Sequence, residues 1–396
     1  MTYKQAIWKR RTEAMLAWPF VILGKLMAPL FPLKTTHKIF IFCPSADIGG
    51  ANKVNADLCK AFADKSPLVI FSKKPKNNEF LSKFQIEGVR IIDLHKRVDN
   101  KFVHVINLFY RGVISSWINR SDNPVIIGGE SLFFYKVFPY IKKEFRLVEI
   151  SHLNTWFNFT QAFVKDIDVR VFSTAKLKRD AEELYKKNDL PNEWYSRLHF
   201  IDNMVEIPSL VSHVNPKLEV VFIGRGSPQK RVYLIAEIAK KLHEANAPVH
   251  FSFVGDVDKV FHTQYYPYCT FYGNVKDRNK MESIYQQSDV LLLTSAFEGL
   301  PIAIMEMMAY GKVVVSTAVD GIPDYITHGE NGFLLKNNPD ENKIIQEAKT
   351  ILSKLSADKN LLEKVGQNSR IYAEEHFSEK VFKERYWEVF FGELTQ

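Results

Sequence analysis

Residues Phe297-Glu-Gly-Leu-Pro-Ile-Ala-Ile-Met-Glu-Met-Met-Ala-Tyr-Gly311 decide how this chain is read. The apolar run Val290 to Leu293 leads into them and reads as a buried parallel strand. Thr294, Ser295, Glu298, Gly299 and Pro301 mark a loop, and Pro301 suits the first turn of a helix. That helix runs over Ile302 to Tyr310, and Gly311 suits its end. Backbone N–H groups of Gly299 and Leu300 are then expected at a helix N-terminus, where anions bind. Glu298 falls in the loop and Glu306 about two turns into the helix. Such a pair can hold sugar and ribose hydroxyls. Taken alone, the two carboxylates read more readily as solvated charges on a helix face, since the spacing is common by chance.

The neighbouring stretches change that weighing. Lys312 to Ser316 is another buried-strand run, followed by Asp320-Gly-Ile-Pro-Asp324 and Glu330-Asn-Gly-Phe333. Upstream, Glu219 to Gly224 reads as a strand, Arg225-Gly-Ser-Pro-Gln-Lys230 as a loop, and Val232 to Asn246 as a helix. Two cations five residues apart at a strand end suit a diphosphate, and a solvated basic loop is the plainer alternative. Together, Ser288-Asp289-Val290, Glu298-Gly299-Leu300-Pro301, Glu306, Met308-Ala309, Gly311, Gly321-Ile322-Pro323 and Asn331-Gly332 resemble glycosyltransferase family four. The likeness covers roughly residues 38 to 390 and is strongest over 220 to 335.

That resemblance implies an α/β chain of the GT-B fold, with two Rossmann-like domains facing each other across a cleft. It also implies a retaining, nucleotide-sugar-dependent transferase. Residue by residue, it places Arg225 and Lys230 on the donor diphosphate with the amides of Gly299 and Leu300. It places Glu306 on the ribose, Glu298 on the donor sugar, and Val275 against the nucleotide base. Gly49 and Gly50, in Ser45-Ala-Asp-Ile-Gly-Gly-Ala-Asn-Lys53, fall where the family closes a loop over donor phosphates and acceptor. His152, after the strand Arg146 to Ile150, matches the family's active-site histidine. The catalytic pair is thus His152 and Glu298. The departures are Asp320 and Asp324 in a motif usually read Gly-Gly-Ile-Pro-Glu, and Ala51-Asn52 in the glycine loop. They leave acceptor identity and loop closure open.

Length and composition agree with two domains. At 396 residues the chain exceeds one ordinary core, and 46% hydrophobic with 25% charged residues is globular. Residues 37 to 205 are expected as the acceptor-side domain and 206 to 376 as the nucleotide-sugar domain. The segment 377 to 396 reads as amphipathic, and the resemblance implies that it is a helix returning to the first domain. Further strands are expected at His37–Pro44, Leu68–Phe71, Val89–Leu94, Pro124–Ile127, His250–Gly255 and Thr270–Gly273, while Val169–Thr174, followed by a helix, and His199–Asn203 follow the pattern of the resembled family. Helices are expected over Val54–Asp64, Ser131–Phe145, Pro339–Leu355 and Lys359–His376, with a linker over Asn203–Lys217. The Gly49-Gly50 pair has the bland alternative of a tight turn. There is no G-x-G-x-x-G, so a nicotinamide site is unsupported.

Charge is unevenly spread. Residues 1 to 38 carry net +6 of the chain's +8. The rest of the chain gives no reason to invoke nucleic acid. Residues 1 to 36 interleave Lys4, Lys9, Arg10, Arg11, Lys25 and Lys34 with Trp8, Trp18 and apolar runs. Pro19, Pro29, Pro32 and Lys25 make a poor spanning helix. The expectation is an arm on an anionic membrane surface, with a helix packed on the protein itself as the alternative. A cytoplasmic enzyme at the inner face of the cell membrane, acting on a glycan or lipid-linked acceptor, is the resulting expectation. Cys43, Cys59 and Cys269 have no metal-ligand spacing, and Asp256-Val-Asp258 reads as a polar loop rather than a metal site. No metal and no cofactor beyond the nucleotide diphosphate sugar is expected. The alternatives are a sugar phosphorylase, a nucleotide-sugar epimerase, or a non-catalytic partner. The joint presence of Arg225, Lys230, Glu298 and Glu306 argues against the last.

Overall fold

The computed structural model describes residues 2–99, 104–210 and 213–392. The chain divides into two compact units, Met1–Asn203 with Phe382–Gln396, and Met204–Val381. Each is built on one parallel sheet.

The sheet of the first unit has seven strands: β1 (Ile39–Cys43), β2 (Leu68–Phe71), β3 (Arg90–Asp93), β4 (Val125–Gly128), β5 (Arg146–Ser151), β6 (Val169–Phe172) and β7 (Leu198–Phe200). Their order is β3-β2-β1-β4-β5-β6-β7. β1, β2 and β4 are buried along their whole length, which explains their unbroken apolar sequences. The order reverses between β1 and β4. In an open α/β sheet, ligands bind beyond the strand ends at such a point.

Five helices of this unit bear on its function. α1 spans Tyr3–Met27, α2 Gly50–Ala61, α3 His104–Arg120, α4 Leu132–Val137 and α5 Ala175–Lys187. α2 begins at Gly50, so the second glycine of the pair is the first helical residue rather than part of the turn. The helix expected over Ser131–Phe145 ends at Val137. Pro139 removes a backbone donor, and the chain tightens into a 3₁₀ turn over Phe138–Tyr140. Phe133, Phe134, Tyr135 and Phe138 from this stretch are core. The first 36 residues do not stand free as an arm. α1 lies along α3 as part of the unit, with Ala6, Ala17, Val21 and Gly24 buried.

A buried charge network joins β5 to β6. Arg170 pairs with Glu149, each side chain 1% exposed, and also donates to Thr160 and Tyr185. The Tyr135 hydroxyl donates to Glu149 at 2.5 Å. With every member satisfied, the network fixes β5, the strand that leads into His152.

The second unit has six strands: β8 (Leu218–Ile223), β9 (Val249–Val254), β10 (Thr270–Gly273), β11 (Val290–Leu293), β12 (Val313–Thr317) and β13 (Phe333–Leu335). They run β10-β9-β8-β11-β12-β13, again reversing in the middle, between β8 and β11. Its main helices are α6 (Val232–Glu244), α7 (Arg278–Gln287), α8 (Ile302–Ala309), α9 (Glu341–Ala357) and α10 (Lys359–Phe377). Aspartates cap three of them: Asp277 on α7, Asp340 on α9 and Asp358 on α10. Residues 203–210 and 213–215 have no regular structure, while Val211 and Ser212 of the expected linker lie outside the described residues.

The last helix, α11 (Glu379–Phe391), belongs largely to the first unit. Phe390 packs on Phe62 with ring centroids 5.1 Å apart, and Arg146 donates to Val389 O at 3.0 Å. Residues 393–396 of the expected returning helix lie outside the described residues.

Candidate active site

In the second unit, the two loops at the β8/β11 reversal are laced together. β8 runs into Gly224–Ser227, a 3₁₀ turn at Pro228–Lys230, and Arg231 at φ 45. The buried Arg231 guanidinium donates to Thr294 O at 2.7 Å, Ser295 O at 2.9 Å and Asn337 Oδ1 at 2.8 Å. Thr294 Oγ1 returns a bond to Arg231 O at 3.0 Å. Gln229 closes the far end, receiving Ala296 N–H at 2.8 Å and donating to Phe297 O at 2.8 Å. Backbone carbonyls that would otherwise be buried without partners are thereby satisfied, and the loop geometry is held.

This lacing sets Lys230 against Glu298. Lys230 Nζ is in direct contact with Glu298 Oε1, and the side chains are 12% and 10% exposed. Ser295 Oγ also donates to Glu298 Oε1, at 2.8 Å. Asp320, itself at φ 45, accepts the Glu298 backbone N–H at 2.7 Å. A cation and a carboxylate fixed side by side can take the phosphate and the hydroxyls of one glycosyl phosphate.

Pro301 is the residue that caps α8, which starts at Ile302. Gly299 and Leu300 therefore precede the helix instead of forming its first turn. Among the described residues their N–H groups make no hydrogen bond within the chain. Glu306, half-buried on α8, receives the Tyr285 hydroxyl from α7, and Tyr310 stacks on Tyr285 with centroids 5.1 Å apart. Burial and the adjacent Glu306 charge push the Tyr285 phenol up, so it stays a donor.

Arg225 is exposed, and its loop is pinned from below. Gly226 N–H donates to Asp256 Oδ1 at 3.0 Å, and a Cβ on Gly226 would stand 2.2 Å from Asp256 O. Lys259 also holds Asp256, at 2.5 Å. Asp256 of the D-x-D thus supports the Arg225 loop, and no metal-type cluster of histidine, cysteine and carboxylates occurs among the described residues. Val275 is half-buried beyond β10, two strands from β8.

In the first unit, the loop after β1 is tied down by Asp47. Its carboxylate accepts the N–H groups of Lys76, Asn77 and Asn78 at 2.8–3.0 Å and the Ser45 hydroxyl at 2.9 Å. Against the upward push of burial, these donors bring Asp47 down to about 2. Gly49 is extended and Gly50 helical, and a Cβ on either would meet nothing within 4 Å. The backbone here does not demand glycine, so the tight-turn explanation fails. Two bare residues beside a fixed loop suit close approach by a ligand. Lys53 pairs with Asp57 at 2.7 Å.

His152 follows β5, and the Glu130 carboxyl beyond β4 accepts its backbone N–H. Burial holds the imidazole down at about 4, so it is neutral at pH 7. Burial raises Glu130, and its Oε1 is enclosed without a hydrogen-bond partner.

Four residues of these sites have no counterpart among the sequence-based expectations: Arg231, Asp320 as a support for Glu298, Tyr285 and Glu130. Arg231 and Asp320 act through backbone groups and positive φ, for which an isolated residue gives no signal. Tyr285 sits in a polar helix with no motif around it. Glu130 is masked by its Gly-Gly-Glu-Ser setting.

Residues 217–354 match the family model described as Glycosyl transferases group 1. The chain is 25% identical over 176 residues to the putative colanic acid biosynthesis glycosyltransferase WcaL of Escherichia coli K12, covering 41% of this chain and 42% of that one. It is 32% identical over 124 residues to an E. coli UDP-Gal:alpha-D-GlcNAc-diphosphoundecaprenol alpha-1,3-galactosyltransferase, covering 29% and 32%. It spans between 29% and 42% of the length of the curated relatives it matches first. In fold it is similar to Anabaena Alr3699/HepE, solved with UDP and glucose, at a TM-score of 0.66 and 15% identity, covering 89% of this chain and 98% of that one. Family model, curated relatives and fold point the same way: residues 217–354 are similar to glycosyl transferases group 1, and the chain has the GT-B fold of two Rossmann-like units.

Proposed function

We propose that this protein transfers a hexose-type sugar from a nucleotide diphosphate donor to an acceptor hydroxyl, with retention at the anomeric carbon. The acceptor is a glycan or lipid-linked intermediate of cell-surface polysaccharide or lipopolysaccharide assembly. The protein works at the inner face of the cell membrane. The observation that carries the reading is the Lys230–Glu298 pair, set beside the N–H groups of Gly299 and Leu300 at the β8/β11 reversal. The names of the relatives, with UDP-galactose and a lipid diphosphate in one and colanic acid in another, support the donor and acceptor classes.

In this reading Arg225, Lys230 and the two amides receive the diphosphate and stabilise it as it departs. Glu306, backed by Tyr285, holds the ribose. Glu298 holds hydroxyls of the sugar, and Val275 lies by the base. Gly49 and Gly50 let backbone approach the ligands, and neutral His152 orients the sugar. The bond from the anomeric carbon to phosphate oxygen breaks as the bond to the acceptor oxygen forms. The acceptor's proton passes to the leaving phosphate, so no side-chain nucleophile is required. The phosphate charge is met by side chains and amides, and turnover proceeds without a divalent metal.

The test is product analysis with UDP-, GDP- and ADP-sugars and a lipid-linked glycan acceptor. Free nucleoside diphosphate and an acceptor extended by one α-linked sugar support the proposal. Consumption of inorganic phosphate with release of sugar phosphate would instead identify a phosphorylase.

A further inference from the structure

α1 has two faces. One packs on α3 so closely that a Cβ on Gly24 would stand 2.0 Å from Phe109 O, and one on Gly112 2.0 Å from Val21 O. Charges on or beside this face are paired. Arg10 meets Asp166 at 2.5 Å, and Glu13 meets Arg111 at 3.3 Å and also Lys136. By length and composition alone Tyr3–Leu30 would suffice to cross a membrane, but in this fold the packed face is committed to the protein.

The other face changes character along its length. Up to Arg11 it carries Lys4, Lys9 and Arg11 around Trp8. From Met15 to Leu30 every exposed residue is apolar. Met15, Leu16, Trp18, Leu26 and Leu30 expose between 58% and 73% of their surface. At about 1.5 Å per residue the apolar strip is roughly 24 Å long. A contiguous strip of this kind on a folded protein marks an interaction surface.

A groove of about 560 Å³ runs along one edge of the strip, between α1 and the segment Pro139–Lys142. Met15 and Trp18 form its apolar wall, and Lys25 and Lys142 supply two ammonium groups. Lys25 Nζ donates to Tyr140 O at 3.2 Å, leaving further N–H directions for an anion. Lys142 is exposed, with Glu144 at 3.4 Å. Partial burial draws the Lys25 pKa down, and an anion beside it would offset that shift by favouring the charged form.

We propose that this groove seats the phosphate of an anionic membrane lipid, whose acyl chains lie along the Met15–Leu30 strip. The occupant is indicated by the pairing of an apolar strip with cations at its edge and a net +6 over residues 1 to 38. A second copy of the same basic, apolar face would bring like charges together. The proposal rests on the reading of the protein as a membrane-surface enzyme, and it names the groups that grip the lipid.

The test uses the full chain with vesicles of phosphatidylcholine alone or mixed with phosphatidylglycerol. Lys25→Gln/Lys142→Gln is compared with Lys4→Gln/Lys9→Gln, which removes the same charge away from the groove. Nucleotide binding checks that each variant is folded. Wild type is expected to bind the phosphatidylglycerol vesicles, with Trp18 fluorescence quenched by brominated lipid. The groove pair is expected to lose at least about tenfold more affinity than the control pair, because directed phosphate contacts add to the general attraction. Equal losses in the two pairs would overturn the groove while leaving membrane attachment intact. Absence of vesicle binding by wild type, or capture by inorganic phosphate as effective as by the lipid, would overturn the proposal outright, and the former would also remove the membrane reading.

Discussion

Lys230 Nζ touches Glu298 Oε1 at the mouth of the β8/β11 reversal, in a pair nearly closed off from solvent. The cation assigned to the donor phosphate and the carboxylate assigned to the donor sugar are therefore neighbours before any donor arrives. A sugar and its β-phosphate are themselves joined by one bridging oxygen, so the pair matches the spacing of the groups it would bind.

Lys230→Ala is expected to act twice. It removes a charge-assisted phosphate contact, weakening donor binding by about 2–4 kcal/mol. It also leaves Glu298 with only the Ser295 hydroxyl, lowering unliganded stability by about 3 kcal/mol. Lys230→Met with Glu298→Gln is expected to recover most of that stability and none of the binding. Denaturant melts of the two single variants and the double variant, with donor titrations, check both halves.

The two carboxylates separate by ligand. Glu306→Gln is expected to weaken free nucleoside diphosphate and nucleotide sugar alike, by about 1.5–3 kcal/mol. Glu298→Gln is expected to weaken the nucleotide sugar by a similar amount and leave the nucleoside diphosphate nearly unchanged. Calorimetric titration of each variant with both ligands reads this directly, and an identical loss for both carboxylates would show that the assignments are not distinct.

The strand framework was legible because buried parallel strands are continuous apolar runs: Leu68–Phe71 and Val290–Leu293 match their predicted limits residue for residue. β13 was not, since three residues beside the Glu330-Asn-Gly-Phe333 turn carry no periodicity. The helix over Ser131–Phe145 was overextended, as apolar content outweighed the break imposed by Pro139. In the site, Lys230 and Glu298 were visible as residues of suitable chemistry in loops after strands. That they touch was not, because the contact depends on Arg231 reaching carbonyls of Thr294 and Ser295. The apolar face of α1 was visible only as composition. Which residues face outward is set by the small ones, Ala17, Val21 and Gly24, that pack on α3.

His152 gives a pH prediction. Its folded pKa lies at about 4 and its ordinary value at 6.5. Between these, the unfolded chain binds more protons, so stability falls as pH drops from about 6.5 toward 4. His152→Gln removes that loss while Glu130 remains in both proteins. Urea melts at several pH values are expected to show the wild type losing ground to the variant on acidification. A constant difference across that range would mean that the imidazole titrates normally.

Turnover is expected to survive a divalent-metal chelator, since Arg225, Lys230 and the Gly299 and Leu300 amides already meet the phosphate charge. Full loss of activity in chelator, restored by manganese, would reassign Asp256 and Asp258 from loop support to metal binding.

The central claim is that the second unit holds a nucleotide diphosphate through its β8 and β11 loops. Calorimetric titration of the full protein with UDP, GDP and ADP tests it most directly. One of the three is expected to bind with a 1:1 stoichiometry, with affinity sharply reduced in Lys230→Ala and in Glu306→Gln. Absence of binding by all three at millimolar concentration, or binding that neither substitution alters, would contradict it.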